Sequence, residues 1–333
     1  MYKRQSQTSS PVGTGPFAFV SFAPQDNMKV KRFEDYWGTA PYLDGVTFKV
    51  ITDVNTSILA LRGGTLDMVI HMPSTVAAEV RGDFTVLEDT MKLVQALYIN
   101  NSVKPFDDVR VRQAMYYAIN VSEVIDFVCD GAGVPTGTSM YPAQSRYFVA
   151  ELADAYQQDL DKARQLLAEA GYPDGFDMTI TVPSNYQQHV DTGLVLAEQL
   201  KAVGINATVE NVEWETWVSE VYKGRNYQTT VSGIAASDMT AREMLERYTT
   251  TYSKNFIQFS NEEFDTVVAE AMTTLDLDEQ ITLYKRAQEI LSEQAASLWL
   301  QDLCDLTVMS PELGGMTFYC TYVVDMSTIY FAK

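Results

Sequence analysis

Histidine and cysteine are scarce in this chain, with 2 and 3 residues among 333. The histidines, His71 and His189, lie far apart, and neither an H-E-x-x-H helix nor a Cys–His cluster occurs. That removes the usual zinc-enzyme patterns, and no metal or cofactor is expected. Cys129, Cys304 and Cys320 form no C-x-x-C pair, which argues against a zinc ribbon or a thioredoxin-like motif. The expectation is three buried free thiols, with pairing of Cys304 and Cys320 as the alternative in an exported protein. A nucleophile elbow, a Ser-x-x-Lys, a P-loop and a dinucleotide fingerprint are all missing, so the chain is not expected to be an enzyme. Adjacent carboxylates such as Asp107-Asp108 fit helix capping better than acid–base chemistry. No run approaches the roughly 20 apolar residues of a membrane span. The start, Met1-Tyr2-Lys3-Arg4-Gln5, lacks the apolar stretch of a signal peptide.

Positive charge is also in short supply. Against 44 acidic residues stand 24 basic ones, a formal net charge of −20. Such a surface repels phosphate backbones and anionic bilayers, so nucleic acid and broad membrane contact are poor partner choices. Apolar residues, at 46% of the chain, suffice for a sizeable core, and the length suits about two domains. Tyrosine, with 19 residues, is the commonest aromatic; its apolar body and polar tip suit core edges and wet binding sites.

Periodicity gives an α/β reading. After the Gly13–Pro16 turn signal, Phe17 and Phe19 open a strand, Met28, Val30 and Arg32 continue as a second, and Val46, Phe48 and Val50 alternate as a half-buried third. Residues 55–62 read as a helix stopped by Gly63-Gly64, and 66–70 and 93–99 as strands. Val111, Ala114, Met115, Ala118 and Ile119 mark one face of a helix over 108–119, capped by Asp108; Asn120 with Glu123 opens the next. A Pro-, Gly- and Ser-rich stretch over 135–158 predicts a domain boundary. Beyond it, a helix at 160–170, a strand at 178–182, a helix at 189–203 ending at Gly204 and a strand at 205–209 predict a parallel βαβ unit. Two amphipathic helices follow, and the last forty residues return to strands and turns.

The order of these segments resembles the peptide/nickel class of bacterial extracellular solute-binding proteins. The resemblance rests on Pro11-Val12-Gly13-Thr14-Gly15-Pro16-Phe17, Asp35-Tyr36-Trp37-Gly38, Leu43-Asp44-Gly45-Val46-Thr47-Phe48 and Gly63-Gly64-Thr65-Leu66-Asp67. It continues through Pro105-Phe106-Asp107-Asp108-Val109-Arg110-Val111-Arg112-Gln113-Ala114, Tyr117-Ala118-Ile119-Asn120, the helix over 163–173 ending in Ala-Gly-Tyr-Pro, and the helical pair within 261–300. It implies a two-lobed, periplasmic-binding-protein-like α/β fold, N-terminally truncated: the family's secretion signal, first strands and smaller inserted domain would precede this stretch. On that basis residues 1–135 belong to lobe I, 136–304 form lobe II, and 305–333 return to lobe I.

The implied function is to capture short peptides in a cleft between lobes and deliver them to the permease of an ABC importer, outside the cytoplasm. Membrane contact would come only through the transporter or a lipid anchor. A metal chelate of the nickel type or an oligosaccharide is the alternative ligand. A hydrolase and a non-binding remnant are the alternatives from other classes.

Relatives in this class often place a carboxylate for the peptide amine after a Gly-Trp pair that follows a strand. The matching stretch runs Val231-Ser232-Gly233-Ile234-Ala235-Ala236-Ser237-Asp238, with Ile234 where Trp is common. Asp238 is thus a candidate amine anchor, with Gly233 and Ser237 beside it; the competing role for Asp238 is the N-cap of a helix over 239–247. Trp214, Trp217 and Tyr222 are candidate ligand walls or helix-packing residues, and Tyr141 and Tyr147 are candidate cleft residues in a loop. Arg110 and Arg112 read as structural ion pairs, and Trp37 as lobe packing.

Overall fold

The computed structural model describes residues 11–236, 240–319 and 323–332. The strands are β1 (Phe17–Ala23), β2 (Asn27–Arg32), β3 (Gly45–Lys49), β4 (Met68–Val69), β5 (Thr85–Thr90), β6 (Val94–Ile99), β7 (Val134–Pro135), β8 (Phe176–Pro183), β9 (Ile205–Val212), β10 (Thr229–Ile234), β11 (Ser297–Asp302), β12 (Cys304–Met309), β13 (Leu313–Gly314) and β14 (Tyr330–Phe331). The helices are α1 (Val54–Arg62), α2 (Ser74–Val80), α3 (Val109–Tyr117), α4 (Val121–Cys129), α5 (Leu160–Glu169), α6 (Gln187–Leu200), α7 (Trp214–Thr216, continued as a π-helix over Trp217–Lys223), α8 (Ala241–Glu246), α9 (Glu262–Thr273) and α10 (Leu277–Glu293).

The chain forms two compact units, residues 1–89 with 305–333, and residues 90–304. The domain change expected near 135 falls inside the second unit instead. The reason is β6: it pairs antiparallel with both β10 and β11, which places residues 94–99 at the centre of the later sheet. Helices α3 and α4 bury Val111, Ala114, Met115, Val124 and Val128 in that sheet's core. The Pro- and Gly-rich stretch is a surface excursion with two short 3₁₀ turns, Pro142–Gln144 and Ala150–Asp154, not a boundary.

The first unit holds three small sheets. β1, β2 and β3 form an antiparallel meander of their own. In the C-terminal return, β12 pairs antiparallel with β4, in a sheet of order β4-β12-β5. Phe48 and Val50 alternate as the pattern predicts but lie exposed, and Trp37 is 80% exposed rather than packed, its indole N–H donating to the Thr14 carbonyl at 3.0 Å. His71 Nδ1 lies 2.9 Å from Asp305 Oδ1 and ties the end of β4 to β12.

The second unit is a six-stranded mixed sheet in the order β7-β11-β6-β10-β8-β9. β8 and β9 are parallel, as the strand–helix–strand spacing predicts, and β10 runs parallel to β8 as well. β6 and β11 are buried along their whole length, as strands covered on both faces must be. Local sequence starts the helices cleanly. Asp108 accepts from the Arg110 amide, Asn120 from the Glu123 amide, and Asp159 from the Lys162 amide. Gly204 takes a left-handed φ of +85° to end the turn after α6, and Gly175 packs so close that a Cβ there would lie 1.9 Å from the Gly204 oxygen.

Arg110 forms the expected ion pair, with Asp108 at 2.6 Å. Arg112 does something else. Its buried guanidinium donates to the carbonyls of Phe106, Gln294 and Ala295, and burial pushes its pKa down to about 10. It therefore fixes the turn after α10 by hydrogen bonds to backbone rather than by an ion pair. Among the described residues no helix is long and apolar enough to cross a membrane.

Candidate functional site

In open α/β sheets, ligands gather at the carboxyl ends of the parallel strands, where loops diverge and helix N-termini converge. In the second unit that edge is formed by the ends of β8, β9 and β10, with the start of antiparallel β6 and the end of β11 beside them. Tyr186 precedes the first residue of α6, and no side chain caps this helix start.

An aromatic band starts at this edge and follows α7 away from it. The Trp214 and Trp217 rings stack at 5.2 Å with 9° between planes, and Tyr222 continues the stack 6.1 Å from Trp217. Tyr186 meets Trp214 edge-on at 5.6 Å and lies 5.5 Å from His189. Burial splits the band. Trp217 is a packing residue, buried with its indole N–H donating to Thr230 Oγ1 at 2.9 Å. Tyr186 and Trp214 remain 45% and 39% exposed, so their faces are open to a ligand.

Behind the band lies a buried polar chain. Gln95 sits opposite both Gly233 of β10 and Gln301 of β11. Its amide donates to His189 Nδ1 at 2.9 Å, and its oxygen accepts from Gln301 Nε2 at 2.9 Å. The Gln95 donor leaves His189 Nδ1 as an acceptor, so the ring proton stands on Nε2. Burial pushes the His189 pKa down to about 4, which keeps that neutral form at ordinary pH. Space at Gly233 is tight: a Cβ would come within 2.7 Å of Leu93 Cδ1, which would have to shift, and 3.4 Å of His189 Cε1.

Next along β11, Asp302 is also buried. Its Oδ1 accepts the Leu93 amide at 3.1 Å; among the described residues Oδ2 has no hydrogen-bond partner. Desolvation is the main cause that pushes its pKa up to about 7, against hydrogen bonds from Thr90 and the neighbouring amides.

The structure thus places Trp214 and Gly233 at this edge, whereas Trp217 and Tyr222 lie further along α7, Trp217 against Thr230 and Tyr222 against Phe256 toward the start of β10. Tyr141 and Tyr147 do not join them as binding residues. Tyr141 is buried in the core, and Tyr147 packs edge-on against Tyr284 of α10 at 5.5 Å while its hydroxyl reaches Gln280. Ser237 and Asp238 lie outside the described residues; Ile234 ends β10 at this edge, and Ala235 and Ala236 lead on from it. The N-cap of α8, the competing role for Asp238, falls to Thr240, whose hydroxyl accepts from the Glu243 amide at 3.1 Å.

Sequence reasoning missed Tyr186, His189, Gln95, Gln301 and Asp302. The available signal was positional, since Tyr186 and His189 begin the helix directly after a parallel strand. Glutamines inside an otherwise apolar strand gave the other hint.

The family model for bacterial extracellular solute-binding proteins, family 5, middle region, matches residues 3–256, and the chain belongs to that family. Heme-binding protein A of Haemophilus influenzae is 29% identical over 323 residues, covering 94% of this chain and 58% of that protein. The dipeptide-binding protein of Escherichia coli is 26% identical over 326 residues, covering 95% of this chain and 59% of the relative. Among solved structures, the ABC transporter-associated periplasmic binding protein DppA of Helicobacter pylori, in complex with peptide STSA, superposes with a TM-score of 0.83 at 25% identity. That match covers 97% of this chain and 64% of the other. The chain therefore spans about three fifths of the length of the curated relatives it matches.

Proposed function

We propose that this chain is the substrate-binding part of an ABC importer, working outside the cytoplasm. It takes up short peptides at the sheet edge lined by Tyr186, Trp214, His189 and Gly233 and passes them to the permease without altering them. The observation that carries the reading is the pairing of two exposed aromatic faces, Tyr186 and Trp214, with a buried neutral imidazole, in a chain of the family 5 solute-binding proteins. Aromatic walls accept varied apolar side chains, and a few fixed polar groups orient the backbone.

Asp238, with Ser237 beside it, is assigned the peptide amine. A buried ammonium needs a carboxylate, and a charge-assisted hydrogen bond offsets its desolvation. Asp238→Asn keeps the shape and removes the charge, and is expected to weaken binding by about 2 kcal/mol or more.

The test is calorimetric titration of the chain with di- and tetrapeptides, hemin and a nickel chelate in parallel. Peptide heats that fall with Trp214→Ala and Asp238→Asn support the reading. Heats for hemin or the chelate alone would replace the ligand class. Equal peptide affinity in wild type and both variants would remove the site from this edge.

A further inference from the structure

Two cysteines that the binding site does not use meet in the core of the second unit. Cys129 is the last residue of α4 and Cys304 the first of β12, 175 positions apart and both buried. The Cys304 amide donates to Cys129 Sγ at 3.3 Å. A side-chain hydrogen bond from Cys304 also reaches the Cys129 sulfur. On the other side, Gln188 Nε2 lies 3.7 Å from Cys304 Sγ. Both cysteines are unlinked thiols in this structure, held side by side by the backbone of β12 and the end of α4. This differs from the Cys304–Cys320 pairing open to a reading of the sequence; Cys320 lies outside the described residues.

We infer that Cys129 and Cys304 form a disulfide when the chain folds in an oxidising compartment. The compartment comes from the proposed function, while the juxtaposition of the sulfurs stands on its own. The oxidant is a disulfide, either of an oxidoreductase or of glutathione. The Cys129 thiolate attacks one sulfur of that disulfide and expels the other as a thiolate. The Cys304 thiolate then displaces the oxidant from the mixed disulfide. Cys129 and Cys304 together lose two electrons and two protons; the oxidant gains the electrons as two thiols, and the protons go to them.

In the folded chain the hydrogen bond from Cys304 is the first cause that lowers the Cys129 thiol from its ordinary value. The bond would tie the end of α4 to the residue at which the chain leaves the second unit. Closing so long a loop restricts the unfolded chain.

The experiment is refolding of the full chain from denaturant in a glutathione redox buffer, followed by alkylation under denaturing conditions and peptide mapping by mass spectrometry. Wild type and Cys320→Ser are run together, so that a folding failure of the variant leaves the wild-type map decisive. The expected result is a linked peptide containing Cys129 and Cys304 in both proteins. Cys320→Ser should be left with no alkylatable thiol, lighter by two hydrogens, and restored by dithiothreitol. The oxidised chain should melt about 5–10 °C higher than the reduced one. A Cys304–Cys320 link in wild type, or Cys129 and Cys304 both alkylated or separately glutathionylated after refolding, would overturn the inference. None of these outcomes depends on peptide binding, so a failed titration leaves this result standing, and the reverse.

Discussion

β6 and β11 are buried end to end in the sheet of residues 90–304, whereas the meander of β1, β2 and β3 leaves Phe22, Met28 and Phe48 exposed in one cross-strand row. Both regions are built of strands with apolar residues on a regular period. The difference lies in the layers above them: α3, α4 and α6 cover the large sheet, and nothing among the described residues covers that row of the meander. A strand pattern therefore states which side chains share a face, and the neighbouring layer decides whether the face is core. The same contrast explains why polar residues in β6 and β11 are informative. An exposed Lys or Thr in the meander costs little, while Gln95, Gln301 and Asp302 give up water entirely and need partners or a purpose.

The contrast can be tested most directly by truncating an apolar side chain in each region. Trp299→Ala, at the fully buried centre of β11, is expected to cost about 3–5 kcal/mol. Phe22→Ala, in the exposed row, is expected to cost less than about 1 kcal/mol. Urea denaturation of both variants checks this, and comparable losses would erase the distinction between covered and uncovered strands.

The pH dependence of two buried groups, Asp302 and His189, is the next largest effect, and the two act in opposite directions. Burial raises Asp302 from 3.8 to about 7, so the folded chain holds that proton more tightly than the unfolded chain. Its stabilising contribution is complete below about 3.8 and is lost as the pH rises through about 7. His189 falls from 6.5 to about 4; its contribution is complete above about 6.5 and is lost as the pH falls through about 4. Asp302→Asn should therefore gain on wild type as the pH climbs from about 4 to 7, by up to about 1.4 kcal/mol per pH unit. His189→Gln should flatten the loss on the acid side. Melting temperatures across that range measure both, and a gap between Asp302→Asn and wild type that does not change with pH would mean the carboxyl is not held neutral.

The smallest effect belongs to the surface. Arg286 reaches Glu263, Glu289 and Glu293 at 2.8, 3.2 and 2.9 Å on the solvent side of α10. Water and salt screen such a cluster, so Arg286→Gln is expected to cost less than about 1 kcal/mol, and the cost should vanish in molar salt. A loss as large as that of Trp299→Ala would place the cluster with the covered regions.

The sequence by itself determined what depends on neighbours along the chain. The caps at Asp108 and Asn120, the stop at Gly204 and the parallel run of β8 and β9 follow from backbone donors, glycine's access to positive φ and apolar period, all local properties. The acidic balance and the ordered motifs that resemble family 5 were legible in the same way, as was the candidacy of Trp214, Trp217 and Gly233. Which of those aromatics stays open depended on packing: Trp217 is buried against Tyr222 and Thr230 of β10, while Trp214 meets Tyr186 and keeps 39% exposure. The tertiary structure also moved the division of the chain from 135 to 89, set β12 against β4 and β5, and joined Gln95, His189 and Gln301 from three separate elements. The physical reason is common to all of these. Burial, pKa and the adjacency of Cys129 and Cys304 are properties of packed surroundings, and residues far apart in the chain supply those surroundings.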